Sequence, residues 1–137
     1  MTLECSMLYV KDLARMREFY GGVLQTPPIN TEWTDTWALF DAGGTKFALH
    51  AIPADHADGT ELSSPTPKKS SVKLVFAVGD VPAERLRLET TGVTTLQRSW
   101  QEPGESCDCV DPEGNVFQIA ARIRLPHLFG QFTAHPS

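Results

Sequence analysis

The feature that most constrains this chain is a repeated strand-to-helix unit. The stretch CSMLYVKDLARMREFYGGVL alternates as a strand does and then spaces its apolar residues as a helix does, after Asp12, which can serve as an N-cap. The stretch VKLVFAVGDVPAERLRLETTGV repeats this pattern, with Asp80 in the capping region. Val10 to Val78 and Asp12 to Asp80 are both 68 residues apart, about half of the 137-residue chain. An internal duplication is the simplest account, so we predict two modules of the same fold.

Strand-like segments follow each predicted helix. They span 29–33, 37–41 and 45–52 in the first half, and 94–100, 105–110 and 115–122 in the second. The stretches DAGGTKFALH and DPEGNVFQIA are corresponding hairpins, and Gly114 can take the left-handed conformation that such a turn requires. Each half is therefore predicted to be βαβββ, which makes the fold class α+β.

The domain organisation follows from the same pattern. We predict a single domain over residues 1–137, with module one at 1–52, a linker at 53–70, module two at 71–122 and a C-terminal extension at 123–137. The linker has the Pro, Ser, Gly and charge content of a solvated connection. The extension is predicted to dock on a surface because it carries four large apolar residues, namely Leu125, Leu128, Phe129 and Phe132.

Composition and charge argue against several classes of partner. The chain has 17 acidic and 12 basic residues, a formal net charge of −5, and no basic cluster larger than Lys68 and Lys69. We therefore expect neither nucleic acid nor a membrane as a partner. No apolar run approaches the roughly 20 residues of a membrane span. The start MTLECSMLYVKD lacks the pattern of a signal peptide, so we expect a cytoplasmic location.

The cysteines suit the same compartment. Cys5, Cys107 and Cys109 are odd in number, and none belongs to a CxxC pair that would signal zinc. Cys107 and Cys109 share one face of a predicted strand and are poorly placed to bond each other. We expect them to be small buried side chains.

Three motifs occur in a fixed order within the stretches YVKDLARMREFYGGVL and DPEGNVFQIA. They are a strand ending V-x-D, a helix containing F-Y-x-x-x-L, and a late D-P-x-G-N turn. With the duplication, this order resembles the vicinal oxygen chelate superfamily, which includes glyoxalase I, extradiol dioxygenases and bleomycin resistance proteins. The resemblance covers about residues 3–122. It implies two βαβββ modules forming curved mixed sheets around a cavity, in which metal-binding members place ligands from four strands.

The resemblance also locates the four places where metal-dependent members carry ligands. In this chain they hold Cys5, Ala48, Lys73 and Gln118, and His50 follows Ala48 on the same strand face. Lysine repels a cation, alanine has no donor atom, and glutamine is a weak neutral ligand. We therefore expect no metal cofactor, although an altered set of Cys5, His50 and Gln118 is conceivable.

Side chains on the ligand-bearing side of each strand are predicted to line the cavity. The opposite side is uniformly apolar, as expected of a face packed under helices. Tryptophans on the predicted strands add flat area suited to a planar ligand. The predicted ligand-binding residues are Cys5, Met7, Tyr9, Trp33, Trp37, His50, Lys73, Val75, Trp100 and Gln118.

Each of these residues has a structural alternative. The tryptophans can be core or rim residues, and Lys73 can extend its ammonium group to solvent. Gln118 and His50 can satisfy one another or backbone groups. The remaining histidines lie in the linker or the extension and are expected to be solvated; they are His56, His127 and His135.

Three functions are open at this point. The first is a binding protein without a metal, which sequesters a small aromatic or amphipathic molecule as in the bleomycin resistance branch. The second is a metal-dependent lyase or dioxygenase with an altered ligand set. The third is a metal-free enzyme in which Lys73, His50 or Tyr9 handles protons. The substitutions at the ligand positions favour the first, and exposed sheet edges together with the two-fold pairing common in the superfamily predict a homodimer.

Overall fold

The computed structural model describes residues 1–53 and 71–122. All but the first residue of the predicted linker, and the whole predicted extension with its docking residues, lie outside the described residues. The histidines at positions 56, 127 and 135 lie outside them as well. Within the described part, no helix is long and apolar enough to cross a membrane. The chain divides into two compact units, Met1–Leu62 and Ser63–Ser137.

Over its described residues, 1–53, the first unit contains one helix and a mixed sheet of three strands. Its elements are β1 (Cys5–Val10), α1 (Leu13–Leu24), β2 (Trp37–Asp41) and β3 (Lys46–Ala51). The strand order is β1-β3-β2, in which β1 runs parallel and β2 antiparallel to the central β3. The parallel pair is formed by the strand before α1 and a strand after it, as the predicted strand-to-helix unit requires.

Helix α1 begins at the predicted cap and packs on the sheet through aromatic contacts. The side chain of Asp12 accepts a hydrogen bond from the backbone N–H of Arg15 at 3.1 Å, which satisfies a donor of the first turn. Tyr20 and Phe47 meet edge to face, with ring centroids 4.9 Å apart. Met16, which precedes Tyr20 by about one turn of the helix, is fully buried. The helical spacing of the apolar residues therefore corresponds to a buried helix face.

The strand predicted at 29–33 does not form, and this prediction was wrong. The segment does run beside β2, because the Ile29 N–H donates to the carbonyl of Leu39 at 2.7 Å. The Asn30 side chain then replaces the backbone pairing: its Oδ1 accepts from Leu39 N at 2.9 Å and its Nδ2 donates to the Trp37 carbonyl at 3.0 Å. Because the Asn30 side chain supplies both bonds, regular backbone pairing between this segment and β2 does not continue.

Within residues 71–122, the part of the second unit that the structure describes, there are one helix and a mixed sheet of four strands. Its elements are β4 (Leu74–Val78), α2 (Val81–Thr90), β5 (Thr94–Leu96), β6 (Ser106–Val110) and β7 (Val116–Ala121). The strand order is β4-β7-β6-β5, with β4 and β7 parallel and the other pairs antiparallel. The predicted βαβββ order is confirmed in this unit. The two mixed sheets and two helices confirm the α+β class.

Local signals place the helix and the turn of this unit as predicted. Asp80 caps α2 by accepting from the Ala83 N–H at 3.0 Å, and Gly92 follows the helix with a φ of 93°. In the last hairpin Gly114 has a φ of 87°. The Asp111 carboxylate accepts from the N–H groups of residues 113 and 115, both at 2.9 Å, which fixes the turn.

The strand predicted at 94–100 is shorter than expected. β5 ends at Leu96 because the side chain of the next residue, Gln97, forms hydrogen bonds with backbone carbonyl groups. Its Nε2 donates to the carbonyls of Gln101 at 3.0 Å and Ser106 at 3.1 Å. Trp100 therefore lies in the loop between β5 and β6, not on a strand.

The core face predicted from the alternation is buried and apolar in both sheets, at the positions named next. The predicted core face includes side chains that are at most 2% exposed, namely Val10, Phe47, Leu49, Phe117 and Ile119. In the first unit the other face carries Met7 and Tyr9, which are 52% and 55% exposed. The alternation of side chains along a strand thus separates a core face from a face that can meet a ligand.

Candidate functional site

A row of aromatic side chains crosses the non-core face of the first sheet. Tyr9 pairs in register with His50, and His50 pairs with Trp37, so the row spans all three strands. The Tyr9 and His50 rings meet edge to face, with centroids 5.6 Å apart and planes at 61°. Sequence parity predicted that Tyr9 and His50 share a face, and Trp37 was predicted on a strand beside the same cavity. The register brings the three together.

The histidine in this row has a defined tautomer. His50 Nδ1 lies 2.8 Å from the carbonyl oxygen of Ala51. Because a carbonyl oxygen only accepts, Nδ1 carries the proton, and in the neutral ring Nε2 keeps its lone pair. His50 therefore offers an acceptor atom beside the exposed ring of Tyr9.

Other predicted residues of the first unit lie elsewhere. Cys5 is half-buried at the start of β1 and pairs with Lys46, and Met7 pairs with the buried Ala48. Trp33 is 69% exposed and has a φ of 58°, so it is in a turn and not on the strand expected for it. The Trp33 carbonyl closes that turn by accepting from the N–H of Trp37 at 3.0 Å.

A second row, with polar residues at its centre, crosses the non-core face of the second sheet. Val75 on β4 pairs with Gln118 on β7, and Gln118 pairs with Asp108 on β6. Lys73 lies two residues before Val75 and therefore on the same side of the chain. The structure thus brings together the three residues predicted in this unit on strand parity, and adds Asp108 to them.

Asp108 is the centre of a buried polar cluster. Its side chain has no exposed surface, and its Oδ1 accepts from Lys73 Nζ at 2.7 Å and from Gln101 Nε2 at 2.8 Å. Its Oδ2 accepts from Arg98 Nε at 3.0 Å. A buried carboxylate is strongly destabilising unless it is paired and hydrogen-bonded, and here two cations and one amide satisfy it.

Two hydrogen bonds between Arg98 and Gln101 fix the loop that carries both residues. The N–H of Arg98 donates to Gln101 Oε1 at 3.0 Å, while the N–H of Gln101 donates to the Arg98 carbonyl at 3.1 Å. The Arg98 Nη2 atom is buried and makes no hydrogen bond to any residue that the structure describes. Gln101 Nε2 also approaches Gln118 Oε1 at 3.5 Å, a long contact. Among the described residues, the guanidinium is therefore held through its Nε atom.

Sequence reasoning did not identify Arg98, Gln101 or Asp108. The signal for Asp108 was present, because the hairpin closed by the turn at 111–115 pairs position 110 with 116 and hence Asp108 with Gln118. No comparable signal existed for Arg98 and Gln101. They lie in an irregular loop, and only the side-chain hydrogen bonds of that loop aim them at the carboxylate.

The two cysteines beside Asp108 face the core. Cys107 and Cys109 have no exposed surface and are free thiols. The hydrogen bond with Cys107, aided by burial, raises the pKa of Cys109 far above its ordinary value. The expectation of small buried side chains is confirmed for Cys107 and Cys109, whereas Cys5 is half-buried.

The residues at the predicted metal positions do not fit a divalent cation. In the second unit, Lys73 is engaged with the Asp108 carboxylate, so a cation is already present where a ligand would be needed. In the first unit, Ala48 has no donor atom and leaves Cys5 as the donor. Within residues 1–53 and 71–122, no three His, Cys, Asp or Glu side chains are grouped as metal ligands would be.

Fold and sheet topology define an α+β protein of the glyoxalase type. The chain matches the Glyoxalase-like domain over residues 5–120, and it belongs to that family. No curated protein matches it. The superfamily indicated by the strand, helix and turn motifs is therefore confirmed.

Solved structures show the same fold. A glyoxalase/bleomycin resistance protein/dioxygenase family enzyme from Burkholderia phytofirmans is 21% identical, with a TM-score of 0.69 over 88% of this chain and 98% of that one. Glyoxalase I from Leishmania major, described as trypanothione-dependent, is 16% identical, with a TM-score of 0.67 over 98% and 96% of the two chains. The fosfomycin resistance protein of Listeria monocytogenes, solved as a mutant with manganese(II), is 16% identical, with a TM-score of 0.63 over 88% and 89%. At these identities the likeness concerns the fold alone.

Proposed function

We propose that this glyoxalase-like protein binds a small aromatic or amphipathic molecule without a metal. The observation that carries the proposal is the ion pair between Lys73 and the buried Asp108. By resemblance, Lys73 stands where metal-dependent relatives carry a ligand. Its ammonium group is held within 2.7 Å of the neighbouring carboxylate, and a divalent cation beside it would be repelled.

The side chains on the two non-core faces suit an organic ligand. The first unit offers aromatic area, because Tyr9 is more than half exposed in a row with His50 and Trp37. The second unit offers polar groups, since Lys73 is 32% exposed and Gln118 is half-buried. Aromatic surface supplies contact area in small-molecule sites and polar groups supply orientation, so each face by itself is a candidate for contact with such a ligand.

Two enzyme functions compete with this proposal. A metal-dependent lyase or dioxygenase would need an altered ligand set, and the donor chemistry described above argues against it. A metal-free enzyme has one supporting observation, the fixed tautomer of His50, whose Nε2 could accept a proton beside Tyr9. We also propose a homodimer in the cytoplasm, as the sequence predicts.

A fluorescence titration tests the binding proposal. The full chain, whose metal content has been measured, is titrated with naphthoate while the emission of its three tryptophans is followed. We expect saturable quenching that chelator does not alter. Tyr9→Ala should weaken binding by at least about 1 kcal/mol if the ring is an anchor.

Leu86→Ala is the matched control, because Leu86 is also an exposed apolar side chain but lies on α2. It should leave the titration unchanged. Absence of quenching by naphthoate, or quenching that requires an added divalent metal, would contradict the proposal.

A further inference from the structure

We infer that the molecule bound by this protein carries an oxyanion, such as a carboxylate or sulfonate, and that Arg98 binds it through Nη2. The inference rests on the proposed binding function and adds the chemical class of the ligand. It concerns the cluster in the second unit formed by Lys73, Arg98, Gln101, Asp108 and Gln118.

The charges of the cluster do not balance. Lys73 and Arg98 each carry a positive charge, and among residues 1–53 and 71–122 the carboxylate that both of them contact is Asp108. The cluster therefore has a net formal charge of plus one. The Arg98 and Lys73 side chains are only 24% and 32% exposed, so water neutralises this excess incompletely. An anionic group would complete the charge balance.

The hydrogen bonds of Arg98 identify the donor that remains. Asp108 accepts from Nε alone, so the pair is not the two-pronged arrangement that guanidinium and carboxylate usually favour. Nη2 is buried without a partner among the described residues. A buried N–H group without an acceptor is destabilising, which makes an oxygen acceptor at this atom favourable.

The cluster is also organised in advance for such a ligand. Asp108 holds Nε, and the Arg98 backbone is held by two hydrogen bonds with Gln101, one to its side-chain Oε1 and one from its N–H. Ordering a long arginine side chain normally opposes binding, and here folding has already ordered it. A planar guanidinium that is fixed through Nε and has an Nη2 unpaired among the described residues selects for oxyanions over uncharged groups.

Two fluorescent probes separate this inference from the binding proposal. Anilinonaphthalene sulfonate carries a sulfonate, and N-phenylnaphthylamine has the same ring system without the charge. We expect the full chain to bind the sulfonate at least about tenfold more tightly, as befits one charge-assisted hydrogen bond in a partly buried site. Arg98→Met and Arg98→Lys should both lose this preference while the uncharged probe binds as before. The lysine variant keeps the charge but lacks Nη2.

Arg87→Met is the matched control. It removes a guanidinium from the same unit, but Arg87 lies on α2 and pairs with Glu84 at 2.9 Å. Its probe affinities should not change. Equal affinity of the wild-type chain for both probes would overturn the inference and leave the binding proposal standing, as would an equal loss of both probes in the folded Arg98 variants. Binding of neither probe would overturn both.

A measurement on the wild-type chain keeps the test decisive if the Arg98 variants do not fold. The guanidinium NMR signals of Arg98 are followed during titration with acetate, and those of Arg87 serve as the internal reference. We expect a saturable shift of the Arg98 signals alone. No shift of the Arg98 signals would overturn the inference.

Discussion

Lys73 Nζ lies 2.7 Å from Oδ1 of Asp108, a carboxylate with no exposed surface. The lysine precedes β4 and the aspartate is in the middle of β6, so the pair joins strands that are separated in the sheet by β7. Arg98 and Gln101 complete the environment of the carboxylate from the loop before β6. The non-core face of the second unit is therefore organised around a buried anion.

Asp108→Asn should destabilise the protein. The amide keeps the shape of the side chain but leaves Lys73 and Arg98 without their counter-ion. Both cations are partly exposed and can recover some hydration, so we expect a loss of about 1–3 kcal/mol in the free energy of unfolding. Urea denaturation measures this loss.

Glu102→Gln is the control, because Glu102 is exposed in the same loop as Arg98. This substitution should change the free energy of unfolding by less than about 0.5 kcal/mol. An equally small change for Asp108→Asn would show that the cluster is unimportant for folding.

Thiol reactivity should distinguish Cys5 from the other two cysteines. Cys107 and Cys109 are fully buried, and the raised pKa of Cys109 keeps its thiol protonated and unreactive. Ellman's reagent should therefore detect no more than the half-buried Cys5 in the folded protein, and all three thiols after denaturation. Rapid reaction of three thiols without denaturant would contradict the buried positions.

Asn30→Ala should loosen the segment that runs beside β2. The substitution removes the hydrogen bonds to Leu39 N and to the carbonyls of Glu32 and Trp37. We expect a loss of about 1–3 kcal/mol in the free energy of unfolding, because backbone groups lose their partners. Thr34→Ala, in the exposed part of the same connection, is the control for unfolding in urea. If Asn30→Ala and Thr34→Ala unfold alike, the side-chain amide does not hold the segment.

Asn30 also illustrates what the sequence could and could not predict. Apolar alternation and capping signals predicted both helices and most strands, because those features are local and repeat in the two halves. The segment at 29–33 was misassigned because a side-chain amide occupies the places of backbone partners, which alternation cannot reveal. The same limit applies to Gln97, whose side chain ends β5 early.

In the candidate site, too, residues on regular strands could be predicted from the sequence, whereas residues in an irregular loop could not. Register and parity brought Tyr9, Trp37 and His50 together in one unit, and Lys73, Val75 and Gln118 in the other. A fuller use of the last hairpin's register would have added Asp108. Arg98 could not be found this way, since its direction depends on hydrogen bonds within an irregular loop.

Metal analysis of the full chain, purified without chelator, distinguishes metal-free binding from a metal-dependent function. Inductively coupled plasma mass spectrometry should find Ni, Zn, Fe, Mn and Co each far below one equivalent in protein that binds naphthoate. The physical reason is that Lys73 is paired with Asp108 and that Ala48 offers no donor. One bound equivalent, with Cys5, His50 or Gln118 at roughly 2.0–2.3 Å from the metal in a crystal structure of the same sample, would contradict the account.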